Sequence, residues 1–189
     1  VELAQRSNML PGLTIDGDVQ VKQYLEVSEP GDTKAPIPIV LSTVIFLTTT
    51  GTNNWTVPAD WNNSINTIEA LGCGGCGSRP ASVKGSGGGG GGGSAYAKIV
   101  NESYTPSASR SYTVGAAGAG ATTTNTAGGN GVDTLLKKDD NTTNAILADA
   151  GGGGGAAGAA GTAGLAANST GTTTTNGGAG GAGGATAGG

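Results

Sequence analysis

Apolar positions in this chain come in short alternating runs, and none recurs with helical spacing. Leu13-Thr14-Ile15-Asp16-Gly17-Asp18-Val19-Gln20-Val21 alternates on both sides of an Asp-Gly pair, a strong short-range hairpin signal. Tyr24-Leu25-Glu26-Val27 continues the strand character, and Glu29-Pro30-Gly31-Asp32 reads as a turn. The β-branched run from Val40 to Leu47 predicts a strand, as do Trp55-Thr56-Val57, Ile65 to Leu71, Ala95 to Val100 and Ser111 to Val114. Leu135-Leu136 and Ala145-Ile146-Leu147 flank a polar stretch, which predicts a hairpin near 133–149. The expected fold is therefore all-β, built from short antiparallel strands.

Glycine changes that picture. Of 189 residues 39 are glycine, concentrated in Gly87 to Gly93, Gly151 to Gly155 and the Gly-Gly-Ala triplets from Gly177 onward. Polyglycine brings no side chain to a core and loses the most backbone entropy on ordering. It either stays a flexible linker or orders by pairing main chain with main chain. The polyglycine-II conformation, with three residues per turn, suits the second outcome, because every N–H and C=O points outward. Collagen is excluded, since the triplets hold no proline. Three segments are expected: a shaft-like β segment at 1–34, a β-rich body at 35–115, and a Gly/Ala/Thr extended region at 116–189. The apolar stretch from Ile37 to Leu47 is too short to span a bilayer, so no membrane insertion is expected. The chain begins at Val1 and ends inside its triplet repeat, which reads as a fragment of a longer protein.

Charge and chemistry narrow the function. A net charge of −4, with basic residues scattered, argues against nucleic acid. Histidine is absent, which removes the commonest general base and metal ligand, and no carboxylates are spaced for acid/base work. No Asp-rich calcium frame or phosphate loop is present, so no enzyme, metal or cofactor is expected. Cys73 and Cys76, in Cys-Gly-Gly-Cys, are too few for a zinc site. They read as small residues of a glycine-rich loop or as a local or interchain disulfide. The remaining polar chemistry is Thr and Asn in loops: Thr122, Thr123, Thr124, Asn125; Asn141, Thr142, Thr143, Asn144; Thr172, Thr173, Thr174, Asn176. These neutral donors and acceptors suit saccharides or protein surfaces, and they equally suit plain solvent-facing turns.

The order of several blocks resembles a known family. They run Thr50-Gly51-Thr52-Asn53-Asn54-Trp55-Thr56-Val57-Pro58-Ala59, Ile68-Glu69-Ala70-Leu71-Gly72, Tyr112-Thr113-Val114-Gly115-Ala116-Ala117-Gly118 and Ala148-Asp149-Ala150-Gly151. Over about residues 48 to 160 they are similar to the glycine-rich domain of bacteriophage and prophage tail fibre and tail-tip proteins. The N-terminal repeat-like strands resemble trimeric fibre shafts. Cys73 and Cys76 depart from the plain glycine usual in relatives, and the Thr/Ala-rich C-terminal tract is longer than the family pattern. The resemblance implies a virion protein, a homotrimer with intertwined chains, contacts with other tail proteins, and loops that meet a bacterial surface receptor, either a saccharide or an outer-membrane protein. A purely structural virion or surface protein is the alternative. An ice-binding protein is a third reading, disfavoured because Thr clusters in runs rather than recurring every third position.

Overall fold

The computed structural model describes residues 24–25, 37–38, 43–81 and 86–184, and the chain divides into two units, Val1–Phe46 and Leu47–Gly189. In the first unit β1 (Tyr24–Leu25) pairs antiparallel with β2 (Ile37–Pro38). The Asp-Gly hairpin and the Glu29–Asp32 turn expected from sequence lie outside the described residues. The strand expected from Val40 to Leu47 is not found at its described residues: 43–47 pair with nothing in a sheet, and Val44 and Phe46 are 71% and 82% exposed. β-Branched composition favours a strand only where a partner edge and a covering face exist.

The second unit has two antiparallel sheets. One runs in the order β3 (Gly51–Thr56), β6 (Ser109–Val114), β7 (Thr134–Lys137), β8 (Asn144–Ala148). The other runs β4 (Thr67–Leu71), β5 (Tyr96–Val100), β9 (Thr173–Thr175). The hairpin expected near 133–149 is β7–β8, with Leu135 opposite Leu147 and Leu136 opposite Ile146. The core between the sheets is thin and made of small residues, Ala70 and Ala97 from one sheet and Leu136, Ala145, Ile146 and Ala148 from the other. Its aromatic end is better filled. Trp55, Trp61 and Tyr104 meet edge to face, with ring centroids 5.5 to 5.9 Å apart. Tyr104 is buried, and its hydroxyl donates to the Lys137 carbonyl at 2.9 Å. Burial is the main cause of a phenol pKa well above its usual value, with Glu102 and Asp139 adding to it.

Six strands or strand-like segments pass directly into glycine-rich threads. The threads are pg1 (72–78), pg2 (87–95), pg3 (115–121), pg4 (127–133), pg5 (149–155), pg6 (159–165) and pg7 (176–184), and outside the turns between them they carry no ladder assignment. Their hydrogen bonds have a period of three. Gly72, Gly75 and Ser78 donate to Ala95, Gly92 and Gly89 of pg2, at 3.2, 2.9 and 2.8 Å. The next residue of each triplet turns to a different neighbour: Cys73 and Cys76 donate to Val132 and Gly129 of pg4. Gly87, Gly90 and Gly93 of pg2 donate to Gly184, Gly181 and Gly178 of pg7, and Gly177, Gly180 and Gly183 of pg7 donate to Gly164, Gly161 and Gly158. A three-fold repeat of direction along an extended chain is the signature of polyglycine II, not of a β-strand.

Taken together, these bonds place the threads on a triangular lattice in two layers. One layer runs pg3, pg1, pg2, pg7, and the other runs pg4, pg5, pg6, each lying over a gap in the first. The lattice dictates where glycine must stand. Thread pg2 is flanked by pg1, pg5, pg6 and pg7. A Cβ on Gly88 or Gly91 would strike carbonyls of pg1, and on Gly89 or Gly92 carbonyls of pg6. On Gly87, Gly90 or Gly93 it would crowd amides of pg7. All seven positions are therefore glycine. Thread pg7 lies at an edge: Gly177, Gly180 and Gly183 abut pg2, whereas Gly178, Gly181 and Gly184 have nothing within 4 Å. Among the described residues, 116–184 fall in the same compact unit as the strands of 51–114, and their threads interleave with pg1 and pg2.

Candidate functional site

Every thread joins the β body at the same end. The described turn residues 79–81 and 86, 122–126 and 156–158 therefore cluster at the other end, forming an apex. Two of them are stitched together. Arg79 and Thr126 exchange main-chain bonds, N to O at 3.0 and 3.1 Å, and the Asn125 amide donates to the Pro80 carbonyl at 3.1 Å. The Arg79 guanidinium donates through Nη1 to the Thr122 carbonyl at 2.7 Å. The Thr123 and Thr126 hydroxyls are 2.6 Å apart and share one hydrogen bond. Asn125 takes a left-handed conformation, φ 55°, which Asn tolerates better than most residues. Thr122, Thr123, Thr124 and Asn125 are all exposed on this ridge. The third turn is small and polar-poor, closed by Gly158 at φ 83° with its amide bonded to Gly155.

The other sequence-derived candidates lie elsewhere. Asn141, Thr142 and Thr143 lie in the β7–β8 turn and Asn144 opens β8, at the opposite end of the body from the apex. Their polar groups are engaged inside the chain. The Asn141 Oδ1 accepts from the Ser111 amide at 3.0 Å, and the Asn144 Oδ1 accepts from Lys137 Nζ at 2.7 Å. The amides of Thr142 and Thr143 both donate to Asp140 Oδ1 at 2.8 Å. A hydrogen bond from the Thr143 side chain, with those two amides, holds the Asp140 carboxyl far below its ordinary range. Its neighbour Asp139 is also lowered, chiefly by the Thr105 hydroxyl at 2.6 Å and then by Arg110, whose Nε lies 2.7 Å away. Thr172 donates its hydroxyl to the Lys98 carbonyl, Thr173 and Thr174 lie in β9, and the Asn176 Oδ1 accepts from the Ala166 amide at 2.6 Å. The three groups of candidates thus lie apart, and of them Thr122 to Asn125 stand at the apex.

Sequence reasoning missed Arg79, the charged member of the apex. The signal available was its place at the end of a glycine-rich run, before Pro80. It also missed Asn130 on pg4, and the part that Asp133 plays beside it. Asn130 Oδ1 accepts from the Gly153 amide at 2.8 Å, and Asp133 Oδ1 accepts from the Ala150 amide at 2.9 Å. They sit one turn apart and occupy the pg5 donors that face away from the lattice. Both line an open groove of about 810 Å³ on the second layer, with Asp149 and Thr162. Asp149 is committed as well, its Oδ2 accepting from the Leu165 amide at 2.7 Å. Among the described residues no three His, Cys, Asp or Glu side chains are grouped to hold a metal, and no helix is long and apolar enough to cross a membrane.

The cysteines are free thiols. Cys73 Sγ donates to the Gly115 carbonyl at 2.9 Å. The local disulfide considered from sequence is not formed, because residues three apart in polyglycine II are separated by about 9 Å. That exceeds the Cα separation of about 4.4–6.8 Å that a disulfide requires.

A family profile for a glycine-rich domain matches residues 48–189, three quarters of the chain and the whole of the thread-bearing unit except its first residue. The chain belongs to this glycine-rich domain family. No curated protein matches it, and no solved structure does. The match spans both sheets of this unit and every glycine-rich thread.

Proposed function

We propose that this glycine-rich domain is a non-enzymatic attachment component of a phage tail fibre or tail tip, carried on the virion as a homotrimer with other tail proteins. In this reading its apex, and not the Thr/Asn positions of the body, meets the bacterial surface. The observation that carries the reading is the stitched ridge of Thr122 to Asn125 and Arg79, raised on stiff threads at the end remote from the sheets. Exposed hydroxyls, an amide and one guanidinium match the hydroxyl-rich face of a surface saccharide or the polar loops of an outer-membrane protein. Each contact is weak, and three chains on several fibres multiply them. The block order noted in the sequence supports placing the protein on a tail.

A scaffold without receptor contact is the second reading. It is favoured by the internal bonding of Asn141, Asn144, Thr172 and Asn176, which shows how many loop polar groups here serve the fold. Exchange of residues 122–125 for Gly-Ser sequence of equal length, followed by cell adsorption of the virions, separates the two. Loss of adsorption with intact particles supports attachment. Unchanged adsorption and host range leaves the scaffold reading.

A further inference from the structure

We propose that Cys73 and Cys76 make the bundle a fold of the dithiol chain alone, so that their oxidation before folding blocks it. Both cysteines lie on pg1, which is bonded to pg2, pg3, pg4 and pg5. Each uses both of its main-chain groups. Cys73 donates to Val132 and accepts from Gly151, and Cys76 donates to Gly129 and accepts from Gly154. Between them Gly75 donates to Gly92, and Gly74 accepts from Gly118. The thread pitch sets the two Cα atoms about 9 Å apart. Closing a disulfide draws them to within about 7 Å, which tears this double register. The Gly-Gly spacer has the opposite effect in the unfolded chain, where nothing hinders the short ring from closing.

The chemistry is thiol–disulfide exchange with a small-molecule disulfide as oxidant. One cysteine thiolate attacks the oxidant and releases one thiol. The second cysteine thiolate attacks the mixed disulfide and releases the other thiol. Two cysteine thiols are oxidised and one external disulfide is reduced to two thiols. A chain that meets an oxidant before folding is trapped without pg1, whereas a folded bundle holds its thiols apart.

The test uses the whole chain and oxidised glutathione. The chain is oxidised in denaturant, the Cys73–Cys76 bond is verified by peptide mapping, and denaturant is removed. Amide exchange at Gly75, Cys76, Gly92 and Gly129 is then compared with the reduced chain. The expected result is loss of protection in the oxidised chain, its return on adding dithiothreitol, and no effect of oxidant on C73S/C76S. In the folded reduced protein the same bond should form at least about a hundredfold more slowly than in the denatured chain, since it must wait for opening. Equal protection in both redox states, or rapid bond formation in the folded protein with protection retained, overturns the proposal.

Discussion

Replacing Gly92 with alanine should be among the most damaging single-methyl changes this protein can suffer, and replacing Gly181 should cost nothing. A Cβ at Gly92 would overlap the Thr162 carbonyl oxygen and lie 2.5 Å from its carbon. Restoring ordinary contact distances means parting pg2 from pg6 by about 1 Å. Overpacking of this kind costs about 2 kcal/mol. The shift also strains Gly92 N to Gly152 O and Gly164 N to Gly93 O, both 2.8 Å. Two weakened main-chain bonds add about 2 kcal/mol. Alanine restricts the unfolded chain and returns about 0.7 kcal/mol. The net loss is then about 3 kcal/mol. At Gly90 the nearest atoms are the Gly181 amide at 3.1 Å and carbonyl oxygen at 3.5 Å, so a few tenths of an ångström suffice. That variant should lose about 1 kcal/mol. At Gly181 nothing lies within 4 Å, which leaves only the gain of about 0.7 kcal/mol. Urea unfolding of the three variants should rank Gly181→Ala at or above the parent, Gly90→Ala below it and Gly92→Ala lowest. Equal midpoints for Gly92→Ala and Gly181→Ala would refute the lattice argument.

Asn130→Ala and Asp133→Ala each uncover an outward pg5 amide and should lower stability by about 1 kcal/mol apiece, with faster exchange at Gly153 and Ala150 respectively. Tyr104→Phe keeps the ring contacts and loses the bond to the Lys137 carbonyl, a cost of about 1 kcal/mol by chemical denaturation. The carboxyls of Asp139 and Asp140 are lowered in the folded chain, so their contribution is complete above the unfolded carboxylate pKa of about 3.9 and is lost as pH falls through the folded values. Unfolding midpoints should therefore be flat from neutral pH down to about 5 and fall below about 4, and the D139N/D140N double variant should shorten that fall. Arg79→Ala should speed exchange of the Asn125 and Thr126 amides while leaving the midpoint of global unfolding within about 0.5 kcal/mol of the parent.

The strands were legible because alternation and turn residues are local signals: Leu135-Leu136 and Ala145-Ile146-Leu147 announce β7 and β8 without reference to anything distant. The polyglycine-II character was legible from the Gly-Gly-Ala triplets, whose first glycines, Gly177, Gly180 and Gly183, are the ones that abut pg2. The arrangement of threads was not, since it rests on main-chain bonds that glycine makes without any side-chain signature. Asn130 and Asp133 illustrate the loss. Their spacing of three matters only once pg5 is known to lie beside them. The surroundings of the candidate loops were hidden for a related reason. Thr and Asn have the same appearance in sequence whether they face outward, as Thr122 does, or close a turn, as Asn141 does.

The three-residue repeat also governs which changes of length the chain can absorb. One residue inserted inside a thread rotates everything beyond it by about 120°, turning alanine or threonine methyls into the backbone of the next thread. An insertion of three restores the facing and only shifts the register. Between threads, in the turn 122–126, facing imposes no such constraint: residues added there disturb the bonds to Arg79 and Pro80 but none within the threads beneath. Length variation in this molecule is accordingly free at the tip and quantised in the stem.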